Sequence, residues 1–325
     1  MIYPWHEQAW RQLAEHWHSR PNAWLIAGRE NTGKTAFARH LAQALLCESP
    51  DSRHQACGHC PSCHLFAQGG HPDFYELAPE AAEGETAARK LQQIKIDAVR
   101  DVVDKLYLSA VRGGLRVILI HPAESMNTQA ANALLKVLEE PPQDVVFLLV
   151  CHARDKLLPT VKSRCRQLLL PAPDYAQALA FLQAQGVDNA AAKLAFHSGA
   201  PLFETDEFSD GLRAGLLDLL AQPRLLAILD YAAEFDKHKQ PLAAGIDWLQ
   251  KWLLDVGLAQ QNMPPLYYPD YADAGRQVAG RTRPDKLFRL MDTLNKLAPY
   301  GRHTLNVRMQ MESLLIDYLA FWQNK

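Results

Sequence analysis

The stretch WLIAGRENTGKT, residues 24–35, decides how the first half of the chain is read. Four apolar residues lead into Gly28, and after four intervening residues Gly33, Lys34 and Thr35 complete the G-x-x-x-x-G-K-[ST] phosphate-loop pattern at every fixed position. The chemistry needs those residue types. Glycines let backbone N–H groups turn inward around phosphate oxygens, while Arg29, Glu30, Asn31 and Thr32 carry the chain around the turn. Lys34 is placed to reach the β/γ oxygens and Thr35 to ligate Mg²⁺. A helix starting at Lys34 would aim its positive end at the same anion. Residues 28–35 are the candidate nucleotide-binding set, and the same pattern left without ligand is the alternative.

Outward from this loop, short apolar runs alternate with helical stretches: 24–27, 73–77, 116–120, 145–150 and 166–170 against 34–47, 97–110, 128–140 and 155–162. Nearly continuous apolar runs of this length suit strands covered on both faces, so an α/β domain with a parallel sheet is expected over 1–170. Asn127 or Thr128 is placed to cap the helix QAANALLKVLEE, and Pro141-Pro142 stops it. Residues 81–95 are polar and read as a loop or arm. From Asp174 onward strand-like runs cease. A small helical module is expected over 171–208 and a longer all-α domain over 209–325.

Hydrophobic residues make up 48% and charged residues 22%, as in an ordinary globular protein, and the formal charge of −2 excludes a strongly basic nucleic-acid coat. A local basic face over Arg100, Lys105, Arg112 and Arg116 stays open, beside its reading as a solvated helix face. The opening MIYPWHEQAW lacks a basic region followed by an apolar core, and no run of about 18 apolar residues occurs. No signal peptide and a cytoplasmic location are expected. The aromatics near Trp5 read as packing residues.

A hydrolysing site also needs a carboxylate at the end of a neighbouring strand to hold Mg²⁺. After RVILI the chain reads His121-Pro122-Ala123-Glu124. Histidine is a poor Mg²⁺ ligand beside hard carboxylate oxygen, and proline has no base. Glu124, three residues beyond His121, is the remaining candidate. The run VVFLLV ends in Cys151-His152, where a polar residue is expected to orient the attacking water. The binding half is intact and the hydrolysis half is not.

Cys47, Cys57, Cys60 and Cys63 follow a C-x9-C-x2-C-x2-C spacing. Four thiolates close a tetrahedral Zn²⁺ site, so a structural zinc is expected, with disulfides as the alternative. Further on, Ser163-Arg164-Cys165 stands between a helix and the last strand. Alone, Arg164 reads as a partner for a surface carboxylate, and Cys165 as buried packing.

Taken together, CGHCPSC (57–63), GGHPDFYELAPE (69–80), IKIDAVRDV (94–102), AANALLKVLEEPP (130–142), SRCR (163–166), SGAP (198–201) and NVRMQMESLLIDYL (306–319) resemble the bacterial clamp-loader subunits of the AAA+ class. The resemblance implies an AAA+ α/β domain, a helical lid and a helical collar through which five subunits assemble. It implies that Arg164 is an arginine finger reaching the ATP site of a neighbour, with gamma/tau-type motor subunits, a delta subunit, the sliding clamp and primed DNA as partners. Motor subunits of this class carry an acidic pair after the third strand and an arginine after the lid's SG element. Here SGAPLFETDEF, 198–208, has none. The resemblance thus favours a non-hydrolysing stator over its main rival, an ATP-hydrolysing motor subunit. A P-loop kinase with a zinc insertion is the third reading. The C-terminal stripe Met309, Leu314, Leu315, Tyr318, Leu319 and Trp322 reads as an association surface or as internal packing.

Overall fold

The computed structural model describes residues 2–80, 93–204, 206–301 and 306–323, and these divide into two compact units that meet in sequence at 177/178. In the first unit the elements run α1 (Glu7–Glu15), β1 (Ala23–Ala27), α2 (Lys34–Leu46), α3 (Pro61–Ala67), β2 (Phe74–Leu77), α4 (Ile96–Lys105), β3 (Arg116–Ile120), α5 (Thr128–Glu139), β4 (Val145–Cys151), α6 (Pro159–Lys162) and β5 (Arg166–Leu169). All four strand pairings are parallel, in the order β2-β3-β4-β1-β5. The expected α/β domain is thus found.

β1, β3 and β4 are buried along their whole length, which explains their unbroken apolar character. Alternate residues serve two cores. Trp24, Ile26, Val117, Leu119, Val146 and Leu148 pack with Trp10, Phe37 and Leu41 of α1 and α2. Leu25, Ile118, Ile120, Phe147 and Leu149 pack on the other face with Val99 of α4 and Leu134 of α5. β1 lies between β4 and β5, so the loop leaving β1 opens at the crevice where the strand order reverses.

Asn127 caps α5, its side chain accepting from the Ala130 amide at 2.8 Å. Other expectations shift. The helix expected at 97–110 ends at Lys105. That expected at 155–162 is a 3-10 turn followed by the four-residue α6. α1 and α3 carried no expectation: α1 is short, and α3 lies inside the cysteine stretch. Arg116 is buried and donates to the carbonyls of Leu106, Leu108 and Gln143, which removes it from any basic face. Arg112 pairs with Glu48. Of 81–95, residues 81–92 lie outside those described, whereas Ile94 bridges to Met126.

α7 (Tyr175–Ala184) crosses the sequence boundary between the units. The second unit then continues with α8 (Ala190–Phe196), α9 (Glu207–Ala221), α10 (Leu225–Lys237), α11 (Leu242–Gln260), α12 (Ala272–Ala279), α13 (Pro284–Leu297) and α14 (Val307–Gln323), with no strand among the described residues. Ala178, Leu182, Ala190 and Leu194 form a small core of their own. The larger core is crossed by a buried relay in which Trp252 Nε1 donates to the Tyr318 hydroxyl and that hydroxyl to the Leu220 carbonyl. Leu314, Leu315 and Tyr318 belong to this core, with Leu319 and Trp322 packed against it, while Met309 is exposed. The α14 stripe is therefore mostly internal packing. No helix among the described residues is long and apolar enough to cross a membrane.

Candidate functional site

The phosphate loop has the backbone its glycines are needed for. Gly33 sits at φ 92° immediately before α2, and Asn31 also takes a left-handed conformation at φ 56°. A Cβ on Gly28 would meet the Leu170 carbonyl oxygen at 2.7 Å, so only glycine lets β1 and the end of β5 approach so closely. The Thr32 hydroxyl donates to the Arg29 carbonyl at 2.8 Å, and Lys34 Nζ donates to the same oxygen. Burial lowers the Lys34 ammonium to about 8. Trp5 Nε1 donates to the Thr32 carbonyl at 2.9 Å, while its ring stacks on Tyr3. An N-terminal residue read only as packing thus props the loop, a contact 27 residues apart that no local pattern signals.

Beside the loop, the groups that might serve hydrolysis are bonded in part, and Glu124 Oε2 and His152 Nδ1 are buried without a hydrogen-bond partner. His121, after β3, contacts Glu76 of β2, which also receives Arg39 of α2. Glu124 does come close to the loop, since its charge is among those acting on Lys34. Its Oε1 accepts from the backbone amides of His152 and Ala153 at 2.8 and 2.9 Å. Burial alone would push this carboxyl up. The amides and the Cys151 thiol outweigh that and hold it below the usual carboxylate range. Burial, reinforced by Glu124, pushes the Cys151 thiol up to about 12. Cys151 is the last residue of β4 and pairs in register with Ala27, which places Glu124 where β4 passes the loop.

Arg164 follows α6 and precedes β5. Nε donates to Glu139 Oε1 at 2.7 Å, Nη2 donates to the same oxygen, and Nη1 donates to the Thr160 carbonyl at 2.8 Å. Its side chain keeps 30% exposure. The surface carboxylate that the bare sequence allowed for is thus Glu139, the last residue of α5. Cys165 is buried in the core beneath, its thiol pushed up to about 12 by that burial.

The sulfurs of Cys47, Cys57, Cys60 and Cys63 all lie within 4.8 Å of one another. The Cys47–Cys60 and Cys57–Cys63 separations are both 4.0 Å. A tetrahedral zinc with Zn–S of about 2.3 Å spaces its sulfurs by roughly 3.8 Å, near the two 4.0 Å separations, so four thiolates gathered in this way suit that ion. Backbone amides of Cys57, Cys60 and Cys63 point at the sulfurs of Cys47, Cys57 and Cys60 at 3.3, 3.3 and 3.4 Å. Such bonds stabilise thiolates, as a metal site requires. No pair is a disulfide. Nearby, Ser62 Oγ donates to the Leu46 carbonyl and meets His71 Nε2, tying α3 to the end of α2.

With loop, arginine and cysteines in place, the comparisons with known proteins can be read. The sequence profile of the family described as "DNA polymerase III, delta subunit" matches residues 5–174. DNA polymerase III subunit delta′ of Pseudomonas aeruginosa is 39% identical over 98% of this chain and 98% of its own length. The chain belongs to the DNA polymerase III delta′ family. Delta′ of Escherichia coli is 31% identical over 88% of this chain and 85% of its own. The tau subunit of E. coli is 36% identical over 48% of this chain but only 22% of its own length. Delta′ likeness therefore runs through both units, whereas tau likeness covers about half of the chain.

Proposed function

We propose that this delta′-family chain is a stator subunit of the replicative clamp loader, within the DNA polymerase holoenzyme, and does not hydrolyse ATP itself. It donates Arg164 in trans to the ATP site of a neighbouring gamma/tau-type motor subunit during loading of the sliding clamp onto primed DNA. A delta subunit completes the hetero-pentamer, in the cytoplasm. The observation that carries this reading is that β3 is followed by His121-Pro122, with no carboxylate at the position where a motor holds Mg²⁺. Glu124, further on, anchors the β4 end through Oε1, while its Oε2 is buried without a hydrogen-bond partner. His121, in the place of the acidic pair, is bonded to Glu76. The Arg164 side chain is 30% exposed, which leaves it accessible to another chain. In such a role a guanidinium stabilises charge developing on the transferred phosphoryl group and contributes about 10³–10⁵ in rate.

The remaining assignments rest on the same frame. Gly28, Arg29, Glu30, Asn31, Thr32, Gly33, Lys34 and Thr35 hold nucleotide phosphates, with Thr35 toward Mg²⁺, without turnover. Cys47, Cys57, Cys60 and Cys63 hold one structural Zn²⁺. The α/β part, 1–170, is the AAA+ domain. Residues 171–208, which include the separate small core of α7 and α8, are the lid, and 209–325 the collar.

The rival is an ATP-hydrolysing motor subunit, and the intact loop motif is the observation in its favour. Steady-state ATP turnover separates the two. The stator reading expects no turnover by the isolated chain and, in the assembly, a fall in turnover with Arg164→Ala. Turnover by the isolated chain that vanishes with Lys34→Ala would establish the motor instead.

A further inference from the structure

The geometry around Arg164 points to Glu139 as a positioning residue for it, an inference that rests on reading Arg164 as a group acting on a neighbour's phosphate. An arginine on a short turn has rotamer freedom to lose before it can engage a ligand. Here that freedom is already restricted by two elements. α5 offers Glu139 Oε1 to Nε and Nη2, and α6 offers the Thr160 carbonyl to Nη1. The guanidinium has five N–H donors. Three are used within the chain, and five less three leaves two, one on each Nη nitrogen.

Those two are what a phosphoryl group can accept. A guanidinium gripped along its Nε–Nη2 edge keeps its remaining Nη2 hydrogen directed away from the grip, and the side chain as a whole is 30% exposed. Glu139 itself is 49% exposed, so water screens its charge and it stabilises the pose without cancelling the cation. Pre-set donors of this kind need no reorganisation when charge develops. Glu139 thus acts through Arg164 and does not touch the reacting atoms.

The test uses the full chain reconstituted with its neighbouring ATPase subunits, comparing wild type, Glu139→Ala, Glu139→Gln and Arg164→Ala. The quantity read is that share of ATP turnover which Arg164→Ala removes. Glu139→Ala is expected to lower this share of kcat by about 5- to 20-fold, the scale of restoring one arginine's rotamer freedom, with KM changed less than about twofold. Glu139→Gln, which still offers an oxygen to Nε, is expected to retain more than about half of it. A structural role alone would lower the amount of assembled complex without splitting kcat from KM or distinguishing Gln from Ala. If Glu139→Ala leaves the share unchanged or raises it while Arg164→Ala abolishes it, the positioning role is overturned and the finger stands. If Arg164→Ala itself changes nothing, the finger reading falls, and this inference with it.

Discussion

Glu124→Gln separates a structural carboxylate from a catalytic one. In the wild type, Glu124 Oε1 takes the His152 and Ala153 amides at 2.8 and 2.9 Å. Hydrogen bonds to a charged group contribute about 1.5–3 kcal/mol each, roughly twice a neutral bond. Glutamine keeps an acceptor oxygen but makes both bonds neutral, a loss of about 1.5–3 kcal/mol. Its new NH2 group takes the place of Oε2, which is buried without a hydrogen-bond partner, so it would be buried without a good acceptor. Glu124 is half-buried, so screening holds the expected total to about 2–3 kcal/mol. Urea unfolding of the full chain measures the total, and amide exchange at His152 and Ala153 reads it locally. The sign with pH follows from the depressed carboxyl. Its contribution is fully present above the unfolded value of 4.5 and is lost as pH falls through the folded one, so the variant and wild type should converge in acid. A variant within about 0.5 kcal/mol of wild type that also abolishes ATP turnover by the isolated chain would refute this reasoning. Glu124 would then be a working Mg²⁺ or water-activating group, and the motor reading would win.

Metal analysis of chain purified without chelator should find about one zinc per chain, and Cys63→Ser should remove it and expose residues 47–63 to proteolysis, because loss of one ligand opens the tetrahedral set. Less than about half an equivalent in the wild type would leave the cysteines without that role. His6 is buried edge-on to Phe37, and that burial, with Lys34 adding to it, lowers its folded value from 6.5 to about 4. The unfolded chain therefore binds the extra proton between those values, and stability should fall as pH drops from about 6.5 toward 4. Burial also lowers His40 and His197 to about 4, so in melting curves taken across the range His6→Phe should make that slope shallower by about one proton's share, and an unchanged slope would remove His6 as a contributor.

The parts of the fold legible in the sequence are those where one local pattern has one physical cause. β3 and β4 are buried on both faces, and their residues are apolar at every position but Arg116. The exception is as informative as the rule. An arginine starting a buried strand looks like a surface charge until three carbonyls converge on it. The Asn127 cap and the Gly28–Thr35 loop were readable because their chemistry lies within a few residues. What was not readable is long-range. Trp5 props Thr32 across 27 residues, Glu139 holds Arg164 across 25, and Glu76 meets His121 across 45. The α14 stripe shows the other limit. Helical spacing of apolar residues marks a face that must be covered, and it does not say whether the same chain or another covers it.

The two ends of α5 bear on how the segment presenting Arg164 is held. Glu124, shortly before α5, fastens the amides of 152 and 153, where β4 ends. Glu139, at the other end, fastens Arg164. Between these anchors, Lys162 Nζ donates to the Arg154 carbonyl, and the Arg154 side chain donates to Gln167. The segment from Cys151 to Arg166 carries the proposed finger, and it is tied near its start to the turn before α5 and near its end to the last residue of α5. A carboxylate has two oxygens, and in Glu124 the amides take Oε1 while Oε2 is buried without a hydrogen-bond partner. On the proposed reading, Glu124 Oε1 steadies the start of the segment that presents the donated group, and Glu139 holds the group itself at the other end.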